Sequence, residues 1–229
     1  MATIKPFRAV RPRKDLAEKI AALPYDVYSS KEARKVVEKN PMSFLAIDRP
    51  ETFFPEGMDL YAPEVYQKAK KEMEERVERG EFLEDPTPCY YLYELTGQNH
   101  IQTGIVACAA IDDYLDGTIK KHENTREEKE QDRIRHVDTM SAQTGPIFLA
   151  YRSEPVLKEL IRKKKACCPI NDFVSEDGIG HRVWVIEEAS MIAEIEAVFE
   201  KMENIYIADG HHRAASAVKV GCKRRKEHP

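Results

Sequence analysis

A chain of 229 residues with 42% hydrophobic and 33% charged residues has interior enough for one large domain or two small ones, and is neither disordered nor fibrous. Its formal net charge of −4 makes a nucleic-acid partner unexpected, because such proteins present a basic face. No apolar stretch approaches the ~20 residues of a membrane helix, and the N-terminus, Met1-Ala-Thr-Ile-Lys-Pro-Phe7, lacks a signal peptide's apolar core, so no membrane partner is expected and the expected location is cytoplasmic.

Basic residues cluster at 8–14, 162–165 and 219–226 and are read as solvated helix ends. The cysteines are Cys89, Cys108, Cys167, Cys168 and Cys222. Their odd number, with no CxxC, reads as reduced thiols rather than a disulfide framework or a zinc site. Cys108 sits in an apolar run and is expected to be a small buried hydrophobe.

In chain order, residues 4–10 read as a strand ended by Pro12. Asp15 can cap a helix with Leu16, Ile20 and Leu23 on one face, broken by Pro24-Tyr-Asp-Val27. Ser29 or Ser30 can cap a second helix through Ala33, Val36 and Val37, ended by Pro41. Residues 43–48 read as a buried strand and 50–63 as a proline-bearing loop. Residues 61–80 form an amphipathic helix, with Val65, Ala69, Met73 and Val77 four apart and Gly80 as its stop. A hairpin is expected over 89–111, turning at 96–100. Residues 119–125 form a polar exit, and 126–140 a charged helix. Then come a strand (146–151), a helix (154–165), a strand (182–186), a helix marked by Ile192, Ile195, Phe199 and Met202, and a strand (205–208) that feeds a helix over 214–220. The fold class is α/β (α+β), a mixed sheet flanked by helices. One family domain over 1–229 is expected, with a possible sub-domain boundary near 86–88. The basic ending at 223–229, just after a helix, is unusual for a complete α/β domain, so the C-terminus is expected to be incomplete.

The segment that carries chemistry is Ala208-Asp-Gly-His-His-Arg213. A short apolar strand leaves the core, and Gly210 lets the backbone approach a ligand closely. A helix then opens whose first amides are free donors at its positive end, and Arg213 adds a fork for phosphate oxygens. Together Asp209, Gly210, His211, His212 and Arg213 form a candidate anion site. The plain alternative is a strand-to-helix turn capped by Asp209. Two histidines and an arginine in one turn favour the site. A metal at His211-His212 is not expected, because adjacent helical residues point ~100° apart.

A second constellation is Lys121-His-Glu-Asn-Thr-Arg126 with Asp132 and Arg133, in the strand-to-helix position where functional groups gather. Glu123 is the candidate general base and His122 an orienting group. The competing reading is a charged helix start capped by Thr125. Tyr25 and Asp26 of Pro24-Tyr-Asp-Val27, with Arg133, are candidate substrate contacts. For the former pair a proline-stopped turn fits equally well.

The ordered set Lys5-Pro-Phe-Arg-Ala-Val-Arg-Pro12, Pro24-Tyr-Asp-Val27, His122-Glu-Asn-Thr125, Asp132-Arg133, Pro146-Ile-Phe148 and Ala208-Asp-Gly-His-His-Arg213 resembles the bacterial and archaeal family called domain of unknown function 1015. Its members normally continue well past residue 229. The Asp-Gly-His-His-Arg turn also resembles that of the ParB/sulfiredoxin-like superfamily, including its free serine kinases. That resemblance implies that residues 209–213 hold nucleotide phosphates, while an upstream glutamate, matched to Glu123 by chain order alone, acts as base on a substrate hydroxyl. It implies a kinase-like phosphotransferase acting on a small hydroxylated metabolite such as serine, using ATP or ADP with Mg2+. A nucleotide-gated DNA-binding protein of the ParB kind, and a metabolite sensor without turnover, are the alternatives. The former needs a basic face or helix-turn-helix that the sequence does not display.

Overall fold

The structure, a computed structural model, describes residues 1–123 and 127–228. Its helices are α1 (Ala17–Ile20), α2 (Ser30–Lys39), α3 (Leu45–Asp48), α4 (Pro63–Glu78), α5 (Ile111–Leu115), α6 (Glu127–Met140), α7 (Pro155–Lys165), α8 (Ala189–Phe199) and α9 (His211–Glu227). Its strands are β1 (Ile4–Lys5), β2 (Val10–Pro12), β3 (Phe82–Glu84), β4 (Tyr90–Thr96), β5 (Ile101–Val106), β6 (Cys108–Ala109), β7 (Ile119–Lys120), β8 (Phe148–Ala150), β9 (Asn171–Val174), β10 (Gly180–Ile186) and β11 (Ile205–Asp209). This is an α/β chain with both antiparallel and parallel pairing. Among the described residues, no helix is long and apolar enough to cross a membrane.

The chain forms two interleaved compact units. One comprises Met1–Glu18, Phe82–Lys120 and Leu149–Tyr206; the other comprises Lys19–Glu81, Lys121–Phe148 and Ile207–Pro229. Pro86 and Pro88 fall inside the first unit.

The first unit is built on an antiparallel sheet in the order β5-β4-β10-β9. The expected hairpin forms one side of it, with β5 at the edge and β4 inside, in register from Tyr91 opposite Val106 to Thr96 opposite Ile101. Tyr90, Tyr91 and Leu92 are buried on β4, and Trp184 on β10 donates its indole N–H to the Cys167 carbonyl at 2.9 Å. Edge strand β9 has no signature in the sequence, because Asn-Asp-Phe-Val shows no apolar alternation. The strand expected over 4–10 is split into β1 and β2. Pro6 lacks the N–H a continuous ladder needs there, and β1 pairs with β6 while β2 pairs with β3. Cys108, expected inside, is exposed on short β6. Nor is the 162–165 cluster simply solvated: Lys164 is buried against Glu188 at 2.6 Å, and Lys165 pairs with buried Glu94. Strand β7 runs parallel to β11, with Ile119 beside Ile205.

Helices dominate the second unit. Ser29 and Glu32 form a reciprocal capping box at the start of α2, with the Ser29 N–H donating to the Glu32 carboxylate at 2.8 Å; this satisfies donors a helix end otherwise leaves free. Helix α1 stops at Ile20, so Leu23 is exposed rather than on its apolar face. Residues 43–48, expected as a strand, instead lead into helix α3 at Leu45–Asp48. Leu45, Ala46 and Ile47 are wholly buried, so the run carries no face alternation, and periodicity cannot separate strand from helix in so short an apolar segment. Helix α4 starts on Pro63 and is followed by Gly80 at φ 70°. Val65 and Ala69 are buried on it, whereas Val77 is exposed and Arg76 takes the interior place. Helices α6 and α9 pack together. Lys223, exposed as expected, and partly exposed Arg224 grip Asp138 at 2.6 and 3.1 Å. Residues 124–126, with the expected cap Thr125, lie outside the described residues.

Candidate functional site

Strand β11 carries buried Ile205 and Ile207, and its last residue, Asp209, leads into the turn. Gly210 adopts φ 90°, a left-handed geometry that costs an L side chain energy but a glycine nothing. No side chain caps α9 at this glycine, and the first helical bond is Ala214 N–H to the Gly210 carbonyl at 2.9 Å. The amides of His211, His212 and Arg213 precede that bond, so the helix itself offers them no acceptor. Ala214, Ala215 and Ser216 are buried, which explains the run of small residues. Ser216 also donates to the Glu130 carbonyl of α6 at 3.3 Å.

Arg213 does not extend as a free fork. Its side chain is buried, donating Nη2–H to the Asp209 carboxylate at 2.8 Å and Nη1–H to the Pro146 carbonyl. Two glycines make room for it. A Cβ at Gly145 would meet its Cδ at 3.2 Å, and one at Gly210 its Nε at 3.2 Å. Arg213 therefore braces the turn from within. Gly210→Ala is expected to cost about 1–2 kcal/mol for the left-handed backbone, with a further loss from the displaced guanidinium. Urea denaturation measures this, and a variant as stable as the parent would show that the turn is not held in this way.

His122 and Glu123, both exposed, come together with buried His211, the first residue of α9. Glu123 Oε2 lies 3.6 Å from His211 Nδ1, and Glu123 Oε1 lies 3.9 Å from His122 Nε2. The two rings meet edge to face at 4.5 Å. His211 Nε2 and His212 Nδ1 are buried without a hydrogen-bond partner among the described residues. His211 thus groups with residues distant in sequence, not with neighbouring His212.

Tyr25 sits on the short 3-10 turn Tyr25–Val27 with exposed Asp26. The Arg133 guanidinium lies over its ring, 4.1 Å from the centroid. Burial pushes the Tyr25 phenol up, opposed by the Arg133 charge. Tyr25, Arg133, His136, Thr144, Gly145 and Arg213 surround a cavity of about 10 Å3, the size of one water. So the expected Tyr25 and Arg133 do converge with the turn. A larger cavity of about 120 Å3 is lined by Tyr25, Arg49, Glu51, Tyr66, Asp132 and Arg133, among others. Arg49 and Glu51 form an ion pair at 2.7 Å, and the Tyr66 hydroxyl donates to Asp132 at 2.8 Å. Burial, then the Asp132 charge, raise the Tyr66 phenol. Arg49, Glu51, Tyr66 and His136 leave little trace in the sequence: a close Arg-Pro-Glu, one tyrosine on a charged helix and one histidine on another.

His136 is 1% exposed, and its Nε2 faces the Ile47 carbonyl at 3.2 Å. Burial, reinforced by the Arg133 charge, holds its imidazole below the ordinary histidine range. The unfolded chain therefore takes up this proton first, as pH falls through ~6.5. The stability tied to a neutral His136 is complete above that pH and is lost as pH falls towards the folded value. Moving from about pH 7.5 to about pH 5.5 is expected to lower the urea midpoint more in the parent than in His136→Gln; equal losses would contradict the assignment.

The molecule is thus an α/β protein with a strand–glycine–helix turn beside a histidine–glutamate–histidine group. The family model described as Protein of unknown function (DUF1015) matches residues 4–229, and the chain belongs to that family. No curated protein and no solved structure matches the chain.

Proposed function

We propose that this protein binds a nucleotide through the first turn of α9 and transfers a phosphoryl group to a small hydroxylated metabolite, in the manner of the ParB/sulfiredoxin-like kinases. The observation that carries the reading is the 3.6 Å separation of Glu123 and His211. A carboxylate selected by chain order alone lies beside the first residue of the helix. Phosphoryl transfer asks for positioning and charge neutralisation more than for covalent chemistry, and a helix start whose first amides have no acceptor within the helix suits that demand.

In this mechanism the amides of residues 211–213 hold phosphate oxygens, and Gly210 allows their close approach. Arg213, tied to Asp209 and Pro146, fixes the turn from within. Glu123 accepts the proton of the attacking hydroxyl, and His122 orients it. Tyr25, Asp26 and Arg133 contact the acceptor. Bound Mg2+ would supply neutralisation of charge on the phosphates.

The test is a thermal-shift panel of ATP, ADP, CTP and phosphometabolites on the parent and on Gly210→Ala, followed by turnover assays with serine as the first acceptor. A ligand of the native state raises the Tm by mass action. ATP or ADP is expected to do so for the parent and much less for the variant. A parent that responds to no nucleotide overturns the reading, binding without turnover makes the protein a sensor, and a salt-sensitive shift of duplex DNA with nucleotide makes it ParB-like.

A further inference from the structure

We infer that His122, Glu123 and His211 form a binding site for a divalent transition-metal ion of the zinc or manganese class. Their ligand atoms all lie within 4.8 Å of one another, with the carboxylate 3.6 Å from one imidazole nitrogen and 3.9 Å from the other. These separations are too long for hydrogen bonds. Ligands held tetrahedrally at about 2.0–2.2 Å around one ion lie about 3.3–3.6 Å apart, so modest inward swings close the group. The two members that must move are the exposed ones, with side chains 60% and 64% accessible for His122 and Glu123, against 5% for His211. His211 is anchored as the first residue of α9, and its Nε2 is buried without a partner among the described residues. Its Nδ1 is the edge turned to Glu123.

Two imidazoles and one carboxylate favour a borderline ion over Mg2+, which prefers oxygen ligands and retained water. Three protein ligands leave coordination positions open, and a site with open positions suits chemistry rather than structure. His211 is the first residue of α9, so an ion held here would sit at the same helix start as a phosphate held by its amides. One carboxylate oxygen suffices for the ion, and the other remains to accept a proton. That catalytic use rests on the phosphoryl-transfer reading; the site itself does not.

The experiment uses tag-free, chelator-stripped protein carrying Cys167→Ser and Cys168→Ser, which removes the exposed paired thiols as competing ligands. Zn2+, Mn2+, Co2+ and Mg2+ are titrated by calorimetry, and Co2+ also by its visible spectrum. The parent is expected to bind one transition-metal ion, with Mg2+ far weaker and with a Co2+ spectrum showing nitrogen and oxygen ligands. His122→Ala and Glu123→Gln, exposed and so safe for folding, are each expected to weaken Zn2+ about 100-fold or more, at or beyond the upper end of what even outer-sphere partners cost. Zn2+ affinity unchanged in the double variant, or no ion bound by the parent, overturns the inference. Nucleotide binding measured separately in EDTA keeps the two proposals apart. A metal site in a protein that binds no nucleotide leaves this inference standing and removes the kinase; nucleotide turnover with Mg2+ alone and no site at the triad does the reverse.

Discussion

Glu123→Gln is expected to slow nucleotide-dependent phosphoryl transfer about 10²–10⁴-fold, the range that a positioned proton acceptor contributes, with nucleotide affinity in EDTA unchanged. The substitution keeps shape and hydrogen-bonding reach but removes the charge and the basic oxygen. Glu123 is 64% exposed, so the fold is not expected to depend on it, and lost activity would not reflect unfolding. The loss should fall on kcat rather than on KM for nucleotide, because the amides of residues 211–213, not this carboxylate, hold the phosphates. A purely structural ion pair with His211 predicts the opposite pattern: turnover within about tenfold of the parent, a change too small for a general base. Turnover retained in Glu123→Gln would move the base to another residue.

Much of the site was legible because its parts are local in sequence. The turn at 209–213 announces itself through a glycine, small helix residues and three titratable side chains. The structure adds the left-handed Gly210 and the uncapped start of α9. What local pattern could not reveal was the direction of Arg213. Whether a guanidinium points out to an anion or in to a carbonyl depends on Pro146 and Gly145, more than sixty residues earlier. The same holds for His211, which groups with His122 and Glu123 rather than with adjacent His212. In the fold, elements with a strong period were readable, such as α4 and the β4–β5 hairpin. Helix α3 was not, because a segment buried on every side has no period. Edge strand β9 was missed for the converse reason, being too polar to signal a strand. The interleaving of the two units left no mark at all, since chain crossings such as Lys120 to Lys121 carry no shift in composition.

Arg76→Met is expected to destabilise the helical unit by about 3–5 kcal/mol, the cost of removing one partner from a buried charged network. Arg76 is 1% exposed. Its Nη1–H donates to the Met42 carbonyl at 2.7 Å and its Nη2–H to the Pro41 carbonyl at 2.7 Å. Its Nε–H reaches the Glu72 carboxylate at 3.1 Å, one turn back on α4. The guanidinium thus satisfies backbone acceptors in the irregular link between α2 and α3, which have no helix to serve them. Methionine restores apolar volume but leaves those carbonyls without donors, and leaves Glu72 with Lys68, at 3.0 Å, in place of two cations. Arg76→Lys should recover only part of the loss, because a single ammonium cannot fork to both carbonyls and a carboxylate in one plane. Urea denaturation gives the magnitude, and hydrogen exchange gives the location: amides of α2, α3 and α4 should lose protection first. Since α3 carries Ile47, whose carbonyl faces His136, and Asp48, which accepts from Thr144 at 2.6 Å, loosening this link should also loosen the wall of the small cavity beside Arg213. If Arg76→Met weakens nucleotide binding in proportion to its loss of exchange protection around residues 45–48, the site depends on this buried arginine for its shape; binding at full strength in a variant with those amides unprotected would show that the turn at 209–213 stands without it.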